Sequence, residues 1–388
     1  MVTGAGRTVV LLHVGTPKTG TTYLQDVLWR NRGALRRRGV LYPGDRPQSH
    51  FLAAMDLQGG TAEEVGDADL PGAWSRLVGR IRGWTGTAVV SHELLAPMDA
   101  ARIGRAHAEL GFAELHVVCT VRDLARQLPA VWQEDLKNRH SLTFAEFVEA
   151  VRAPEQGHWL GELFWRMQDI PEVLRRWAAM LPPERVHVVT VPARGESPEA
   201  LWERFGSLLG VPLTGLDAGS TEPNSSLGPA EAHLLRRINS ELDPALPWPV
   251  YERTVRRQLI DVLARRPGDS QRLGLPAAEL GWVRERSERT IAALRAAGYR
   301  VVGDLDDLLP CDDTSAAHPD EVTDSDLLDA ALDAIRELVA RDVSAQPATI
   351  ASRSAALGRR VVELSGHHAG LRRVRSLYRS VRRFQCGR

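Results

Sequence analysis

The residues of this 388-residue chain best suited to chemistry lie in one stretch, residues 8–25, which reads TVVLLHVGTPKTGTTYLQ. Its first half predicts a buried strand, its middle a loop of small residues, and its last part a helix beginning near Thr21. The first turn of a helix has unpaired N–H groups and a favourable dipole, so the arrangement predicts an anion site. The loop and helix start add one cation and three hydroxyl groups: Lys18, Thr19, Thr21 and Thr22.

The spacing of this loop differs from the phosphate loop of ATPases and GTPases, G-x-x-x-x-G-K-[ST], where lysine directly follows the second glycine. Gly15 and Gly20 have the right separation, but Thr21 stands where that lysine would be, and Lys18 lies inside the loop. The glycines would let the backbone approach a phosphate-sized group, while the displaced lysine argues against an ordinary NTPase. The alternative is a strand, turn and helix that binds no ligand.

The elements that must position this loop can be read from the apolar runs of the chain. Besides the first strand, strands are predicted at residues 40–43, 87–91, 114–121 and 185–191, with a short apolar segment within 298–309. Helical spacing between these runs predicts βαβ units. We therefore expect an α/β fold, a P-loop NTPase-like parallel sheet flanked by helices, with a helical C-terminal extension. The predicted domains are residues 1–310, a linker at 311–325 and a basic helical extension at 326–388.

Two other predicted strands end in residues that could do chemistry. His92 and Glu93 follow the strand at 87–91, and Arg122 follows the strand at 114–121. Ligands of open α/β sheets bind beyond the carboxyl ends of the strands, so these side chains should share one edge with Lys18. A base beside cations is what the transfer of an anionic group requires. Each residue also has a structural alternative, such as an ion pair of Arg122 with Asp123.

The order P-K-T-G-T-T-Y-L-Q, followed by AVVSHELLAP and ELHVVCTVRDLARQLPAVWQE, resembles the sulfotransferase family, and bacterial sulfotransferase-like proteins in particular. The resemblance covers about residues 8–310. It implies transfer of a sulfuryl group from 3'-phosphoadenosine 5'-phosphosulfate (PAPS) to a hydroxyl or amine of a small-molecule or carbohydrate acceptor. It further implies that Lys18 stabilises the leaving phosphate, that His92 is the general base with Glu93 as its competitor, and that Arg122 binds the 3'-phosphate of the donor. Residues implied in donor binding are Pro17, Lys18, Thr19, Gly20, Thr21, Thr22, Arg122 and, more weakly, Ser226.

The chain departs from the family pattern in the 3'-phosphate half of the site. A serine that the family often has two helical turns after the arginine is Ala130 here, beside Pro129, which we expect to kink or break its helix. Either the helix is displaced or another residue takes over; the candidates are Arg126, Gln127 and Gln133. The late Arg-Lys-Gly signature is also absent, and residues 224–228, NSSLG, occupy a comparable position.

Two other functions remain open from the sequence. A P-loop nucleotide kinase or NTPase would fit a phosphate loop, although no clear acid for Mg²⁺ stands at a strand end. A non-catalytic binding protein that kept the fold would fit the departures near Ala130. The proposed sulfuryl transfer needs no metal, and no metal-ligand spacing is evident.

The composition limits the partners. Lys and Arg total 49, as do Asp and Glu, so no net charge would recruit nucleic acid or an anionic membrane. The three cysteines show no pairing pattern, and Cys119 lies in an apolar run, as a core residue would; this favours a reducing, cytoplasmic location. No signal peptide and no apolar run long enough to span a bilayer are evident. A basic helical pattern within 358–388 predicts contact with a partner or membrane surface, or else an exposed tail. The oligomeric state cannot be read.

Overall fold

The protein is built around a six-stranded sheet whose strands all run parallel. The computed structural model describes residues 8–197, 199–219, 226–266, 272–311 and 316–345, with side chains of the last segment described through residue 341. The strands are β1 Thr8–His13, β2 Val40–Leu41, β3 Gly86–Ser91, β4 Glu114–Val121, β5 Val186–Thr190 and β6 Arg300–Val302. Their order in the sheet is β2-β3-β1-β4-β5-β6.

Helices fill the connections between the strands. They are α1 Thr21–Arg30, α2 Arg32–Arg37, α3 Ser49–Gln58, α4 Ala62–Val65, α5 Ala73–Arg82, α6 Ala100–Leu110, α7 Leu124–Lys137, α8 Phe144–Arg152, α9 Trp159–Gln168, α10 Ile170–Ala178, α11 Glu199–Gly206, α12 Pro229–Glu241, α13 Trp248–Tyr251, α14 Ile260–Ala264, α15 Leu280–Ala297 and α16 Asp324–Ala345. A π-helical segment, Glu252–Leu259, joins α13 to α14. Short 3₁₀ helices occur at Glu93–Leu95, Pro154–Gln156, Pro183–Arg185, Ser207–Leu209, Ala277–Glu279 and Leu305–Leu308.

Alternate residues of the strands face two separate cores, as expected for a sheet covered on both faces. In β1, Val10 and Leu12 join the core formed with α5, α6 and α10, whereas Val9 and Leu11 join the core formed with α1 and α11. Cys119 of β4 is fully buried in the first core, which confirms the sequence prediction, and burial raises the pKa of its thiol to about 12. The α/β fold class with a parallel, helix-flanked sheet is therefore confirmed.

The strand order creates a point of reversal at β1. The chain builds β2 and β3 on one side of β1 and then β4, β5 and β6 on the other. Crevices at such a reversal, beyond the carboxyl ends of the strands, are where ligands of open α/β sheets bind. The loop after β1 lies at this point, between the ends of β3 and β4.

The stretch around Pro129 is helical as expected, and α7 continues through this residue from Leu124 to Lys137, so of the expected kink or break the break does not occur. Pro129 stands inside the helix, where it leaves one backbone carbonyl without its usual N–H donor. The side chain is fully within the core, since Leu128, Pro129 and Trp132 are all buried. Because α7 is continuous, its first and last turns belong to one helix, and both contribute residues to the site described below.

The chain divides into two compact units, Met1–Ala331 and Leu332–Arg388. The sheet and helices α1 to α15 lie in the first unit; in the second, residues 332–345 are described and are helical. The predicted domain boundaries at 310 and 325 stay a prediction. The basic pattern within 358–388, and residues 224 and 225 of the NSSLG stretch, lie outside the described residues.

Candidate functional site

The loop between β1 and α1 has the backbone of an anion cradle. Gly20 is the N-cap of α1 at φ 84°, and among the described side chains none caps the helix, which leaves its first N–H groups available. A Cβ on Gly20 would meet the end of the Leu201 side chain, and one on Gly15, at φ 108°, would lie 3.2 Å from Glu93 Cα. The positive φ favours glycine at both positions, and the close approach of the Glu93 backbone does so at Gly15 as well.

A buried hydrogen-bond network fixes the underside of this loop. His13 Nδ1 lies 2.8 Å from Ser91 Oγ, and His13 Nε2 lies 3.0 Å from Thr120 Oγ1. Thr120 Oγ1 lies 2.6 Å from Thr19 Oγ1 and donates to Gly15 O at 3.1 Å. Burial lowers the pKa of His13 to about 4, so the imidazole is neutral near pH 7. The carboxyl ends of β1, β3 and β4 are thus joined directly beneath the loop.

The predicted donor-binding residues of the loop occupy distinct environments. Thr16, Thr19 and Thr21 are buried, whereas Thr22 is exposed. The Thr19 hydroxyl faces inward, toward Thr16 O and Thr120, so it is the backbone N–H of Thr19 that is left for a ligand. The Pro17 carbonyl is held from α7 and α9, because it accepts hydrogen bonds from the side-chain amides of Gln127 and Gln168.

His92 and Glu93 both lie directly beyond β3, and Glu93 is next to the loop. The Glu93 carboxylate accepts a hydrogen bond from Gln25 Nε2 at 3.2 Å and lies 4.0 Å from His92 Nδ1. Although burial opposes its ionisation, the neighbouring His92 and the Gln25 amide hold the pKa of Glu93 below its ordinary value. Glu93 is therefore a carboxylate near pH 7, anchored through one oxygen by α1.

The contacts of His92 restrict its protonation. Its Nδ1 accepts a hydrogen bond from the Leu94 backbone N–H at 3.1 Å, and burial lowers the pKa of the ring below its ordinary value. A neutral imidazole that accepts at one nitrogen carries its proton on the other. His92 Nε2 is therefore an N–H donor in this conformation, and the ring has no free basic nitrogen.

Arg122 follows β4 and is oriented toward the loop. Its Nη1 donates to Lys18 O at 3.0 Å. No described carboxylate lies within ion-pair distance of Arg122, because Asp123 caps α7 through the Arg126 N–H and pairs with the Arg126 side chain. Burial, with further repulsion from Arg126, lowers the pKa of Arg122 to about 10, so the side chain stays cationic near neutral pH. The suggested pairing with Asp123 alone does not form.

Three side chains of α7 were candidates to replace the serine missing at Ala130, and all three are engaged. Arg126 contacts Asp123 and the Pro192 carbonyl, and Gln127 contacts Pro17 and Gln168. Gln133 Oε1 accepts from Leu227 N at 3.0 Å and from the exposed Ser226 hydroxyl at 3.5 Å. Ser226 is thus connected to α7 through Gln133.

A cleft of about 590 Å³ opens at the same edge of the sheet, beside the start of α7. Arg126 and Arg194 are among its lining residues, together with Asp123, Cys311 and His318. Beyond the effect of burial, Arg126 and Arg194 are near enough to Arg122 to lower the pKa of its side chain, and Asp123 is near enough to raise it. The cleft is mixed in charge, because Asp306 and Asp307 line it as well.

Lys18 has an ion-pair partner that the sequence did not predict. The Lys18 residue has φ 64°, and its Nζ lies 2.7 Å from Glu134 Oε2 in the last turns of α7. Burial opposes ionisation of Glu134, but the adjacent Lys18 ammonium outweighs it and holds the pKa below its ordinary value. The loop lysine is therefore charge-paired in this structure.

Sequence reasoning missed four residues of this site: His13, Gln25, Glu134 and Arg194. His13 and Arg194 could have been found, because they stand at or just after the carboxyl ends of predicted strands. Gln25 and Glu134 contact the site only through the packing of α1 and α7 against the loop, which no local pattern encodes.

The described residues contain no group of three or more His, Cys, Asp or Glu side chains able to hold a metal ion. None of the described helices is both long enough and apolar enough to cross a membrane.

Two solved sulfotransferase structures resemble this chain. One is the crystal structure of a sulfotransferase from Alicyclobacillus acidocaldarius, with 15% identity and a TM-score of 0.36 over 57% of this chain and 88% of that one. The other is the sulfotransferase domain from the curacin biosynthetic pathway, with 14% identity and a TM-score of 0.31 over 56% of this chain and 78% of that one. No family model and no curated protein matches the chain. At such low identities and TM-scores, these likenesses assign no function to it.

Proposed function

We propose that this protein is a sulfotransferase that moves a sulfuryl group from PAPS to a hydroxyl or amine of an acceptor. The observation that carries the proposal is the meeting of three strand ends at one edge of the sheet. There, β1 supplies the cradle with Lys18, β3 supplies Glu93, and β4 supplies Arg122. A base and two cations around a helix N-terminus suit the in-line transfer of an anionic group.

The cradle would bind the 5'-phosphosulfate of the donor. The N–H groups of the loop and of the first turn of α1, uncapped by any described side chain, face an anion favourably. Lys18 would neutralise the charge that develops on the bridging oxygen as the bond between sulfur and that oxygen breaks. The His13 and Thr120 network under the loop holds these donors in place before the ligand arrives.

Glu93 fits the role of general base better than His92. It is ionised near pH 7 and packs against Gly15 of the loop, whereas His92 carries its proton on Nε2. In the transfer step Glu93 takes the proton of the acceptor group as the acceptor atom bonds to sulfur. His92, neutral near pH 7, would offer its Nε2–H to the acceptor as a hydrogen-bond donor.

Arg122 would bind the 3'-phosphate of the donor. Its guanidinium is half-buried, cationic and without a described carboxylate partner, so a phosphate would supply the counter-charge that it lacks. Arg194 and Arg126 line the neighbouring cleft and would be further cations available to the donor, beside the carboxylates of Asp123, Asp306 and Asp307. This arrangement would compensate for the serine that is absent at Ala130. The proposed acceptor is a small molecule or a carbohydrate.

The test offers the protein PAPS together with a panel of phenols, sugars and amines. Chromatography then measures formation of PAP, the desulfated product of the donor. With an acceptor that is turned over, Lys18→Ala should lower kcat by about 10²–10³-fold, because a preorganised charge contact to the leaving group is lost. PAP affinity should fall much less. Lys137→Ala removes a nearby lysine of α7 and should cost far less activity. Equal losses of turnover and binding in Lys18→Ala, or no PAP formation with any acceptor class, would contradict the proposal.

A further inference from the structure

The ion pair between Lys18 and Glu134 places a carboxylate against the one lysine of the anion cradle. The Nζ to Oε2 distance is 2.7 Å, and the two side chains are 33% and 27% exposed. Partial burial weakens solvent screening, so the pair is stronger than an ordinary surface ion pair. A carboxylate at this position neutralises the cation. While Lys18 is paired with Glu134, its charge is not fully available to a phosphosulfate.

Glu134 also has a second cationic partner, on a different element. Its Oε1 accepts a hydrogen bond from Arg256 Nη2 at 3.0 Å, and Arg256 Nη1 donates to Asn138 Oδ1 at 3.1 Å. Arg256 belongs to the π-helical segment Glu252–Leu259, and π-helical turns occur often at functional sites. If Lys18 left Glu134, the carboxylate would remain paired and hydrogen-bonded. Departure of Lys18 thus creates no unpaired buried charge.

The charges around this pair are mixed in sign. Lys137 and Arg256 are near Glu134, and Glu252 lies 3.9 Å from Arg256. Asp135 is adjacent, and burial, together with the Glu134 charge, raises the pKa of its side chain to about 7. The immediate surroundings therefore add little net field, and the contact with Glu134 dominates the environment of the Lys18 ammonium.

We propose that Glu134 is a positioning residue that restrains Lys18 in the donor-free protein and gives it up when the donor binds. The ammonium of Lys18 then leaves the Glu134 carboxylate and contacts the phosphosulfate. Arg256 stays paired with Glu134 and neutralises its charge. The exchange makes Lys18 available when an anion occupies the cradle and withholds its charge otherwise. This inference rests on the proposed function for the identity of the anion, but its geometry requires only that the cradle bind one.

The experiment measures affinity for PAP, and for inorganic pyrophosphate as a simpler loop anion, by calorimetry. Glu134→Gln keeps a side chain of the same shape and removes the competing charge, so PAP should bind about fivefold more tightly. Glu252→Gln is the matched control, because it removes a carboxylate that contacts Arg256 but makes no described contact with Lys18. Its affinity should equal that of the wild type.

A double-mutant cycle separates restraint of Lys18 from a general change in local charge. In a Lys18→Ala background, Glu134→Gln should leave affinity unchanged. A gain that persists there, or that appears equally in Glu252→Gln, would contradict the inference. Weaker binding by Glu134→Gln would contradict it too, since it would mean that Glu134 orients Lys18 toward the anion.

The two anions distinguish failure of this inference from failure of the proposed function. Wild-type protein that binds pyrophosphate but not PAP would contradict the proposed function, and the same ordering of variants with pyrophosphate would still support the restraint. If PAP binds but Glu134→Gln has no effect on its affinity, the restraint is contradicted while the proposed function is still supported. If neither anion binds any variant, both are wrong.

Discussion

Glu93 and His92 are neighbours in sequence, yet their contacts give them opposite abilities to accept a proton. The Leu94 N–H occupies the Nδ1 acceptor of His92, which fixes the ring proton on Nε2. Glu93 keeps a carboxylate oxygen beyond its contact with Gln25 and lies against the loop. The sequence alone left these two residues open, because the protonation of His92 is set by a hydrogen bond within a 3₁₀ turn.

We expect Glu93→Gln to lower kcat by about 10²–10⁴-fold, since the amide cannot take the proton of the acceptor. Its affinity for PAP should stay close to that of the wild type, because the role proposed for Glu93 is on the acceptor side. His92→Gln, which can still accept the Leu94 N–H, serves as the control and should lose much less activity. Steady-state kinetics with PAP calorimetry measure both. A larger loss in His92→Gln than in Glu93→Gln would make His92 the base.

At the scale of elements, the strands and the cradle could be predicted from the sequence because their signals are local. Apolar runs marked the strands, and Gly15 and Gly20 marked the turn into α1. The role of α7 could not be predicted, since Glu134 reaches Lys18 from 116 residues away in the chain. Pro129 allowed either a kink or a break from local reasoning alone, and α7 continues through it with the side chain buried.

The hydrogen-bond network beneath the loop could likewise be predicted only in part. Apolar alternation in β1 and β4 was readable, but His13 and Thr120 interrupt that pattern with polar groups that are fully buried. Buried polar groups need partners, and these find one another across neighbouring parallel strands. The topology decides which strands are neighbours, and no single stretch of sequence predicts the order β3-β1-β4.

At the scale of the whole molecule, buried histidines make stability depend on pH. Burial lowers the pKa of His13 and His187 to about 4 and that of His50 to about 3. Their unfolded pKa is about 6.5, so the unfolded chain binds more protons below that value, and the free energy of unfolding falls with falling pH. Asp135, whose pKa is raised to about 7, works in the opposite direction and offsets one of these groups.

We therefore expect urea midpoints to fall as the pH drops from about 6.5 toward 5. Each buried histidine contributes roughly 1.4 kcal/mol per pH unit in this window at most. His187→Gln, a change on β5 away from the loop, should reduce the slope by one such contribution while leaving PAP binding unaltered. Urea unfolding at several pH values measures this. A slope that is unchanged in His187→Gln, or stability that rises toward pH 5, would contradict the assignment.

By the proposed function, the ends of β1, β3 and β4 form one site for a nucleotide with both 5' and 3' anionic groups. The most direct measurement is the affinity for PAP compared with adenosine 5'-monophosphate, in the wild type and in Arg122→Ala. We expect the wild type to prefer PAP, and Arg122→Ala to lose about 10- to 100-fold in PAP affinity with little change for the monophosphate, because a charge-assisted contact to the 3'-phosphate is removed. Equal affinity of the wild type for both nucleotides, or binding of neither, would contradict the claim.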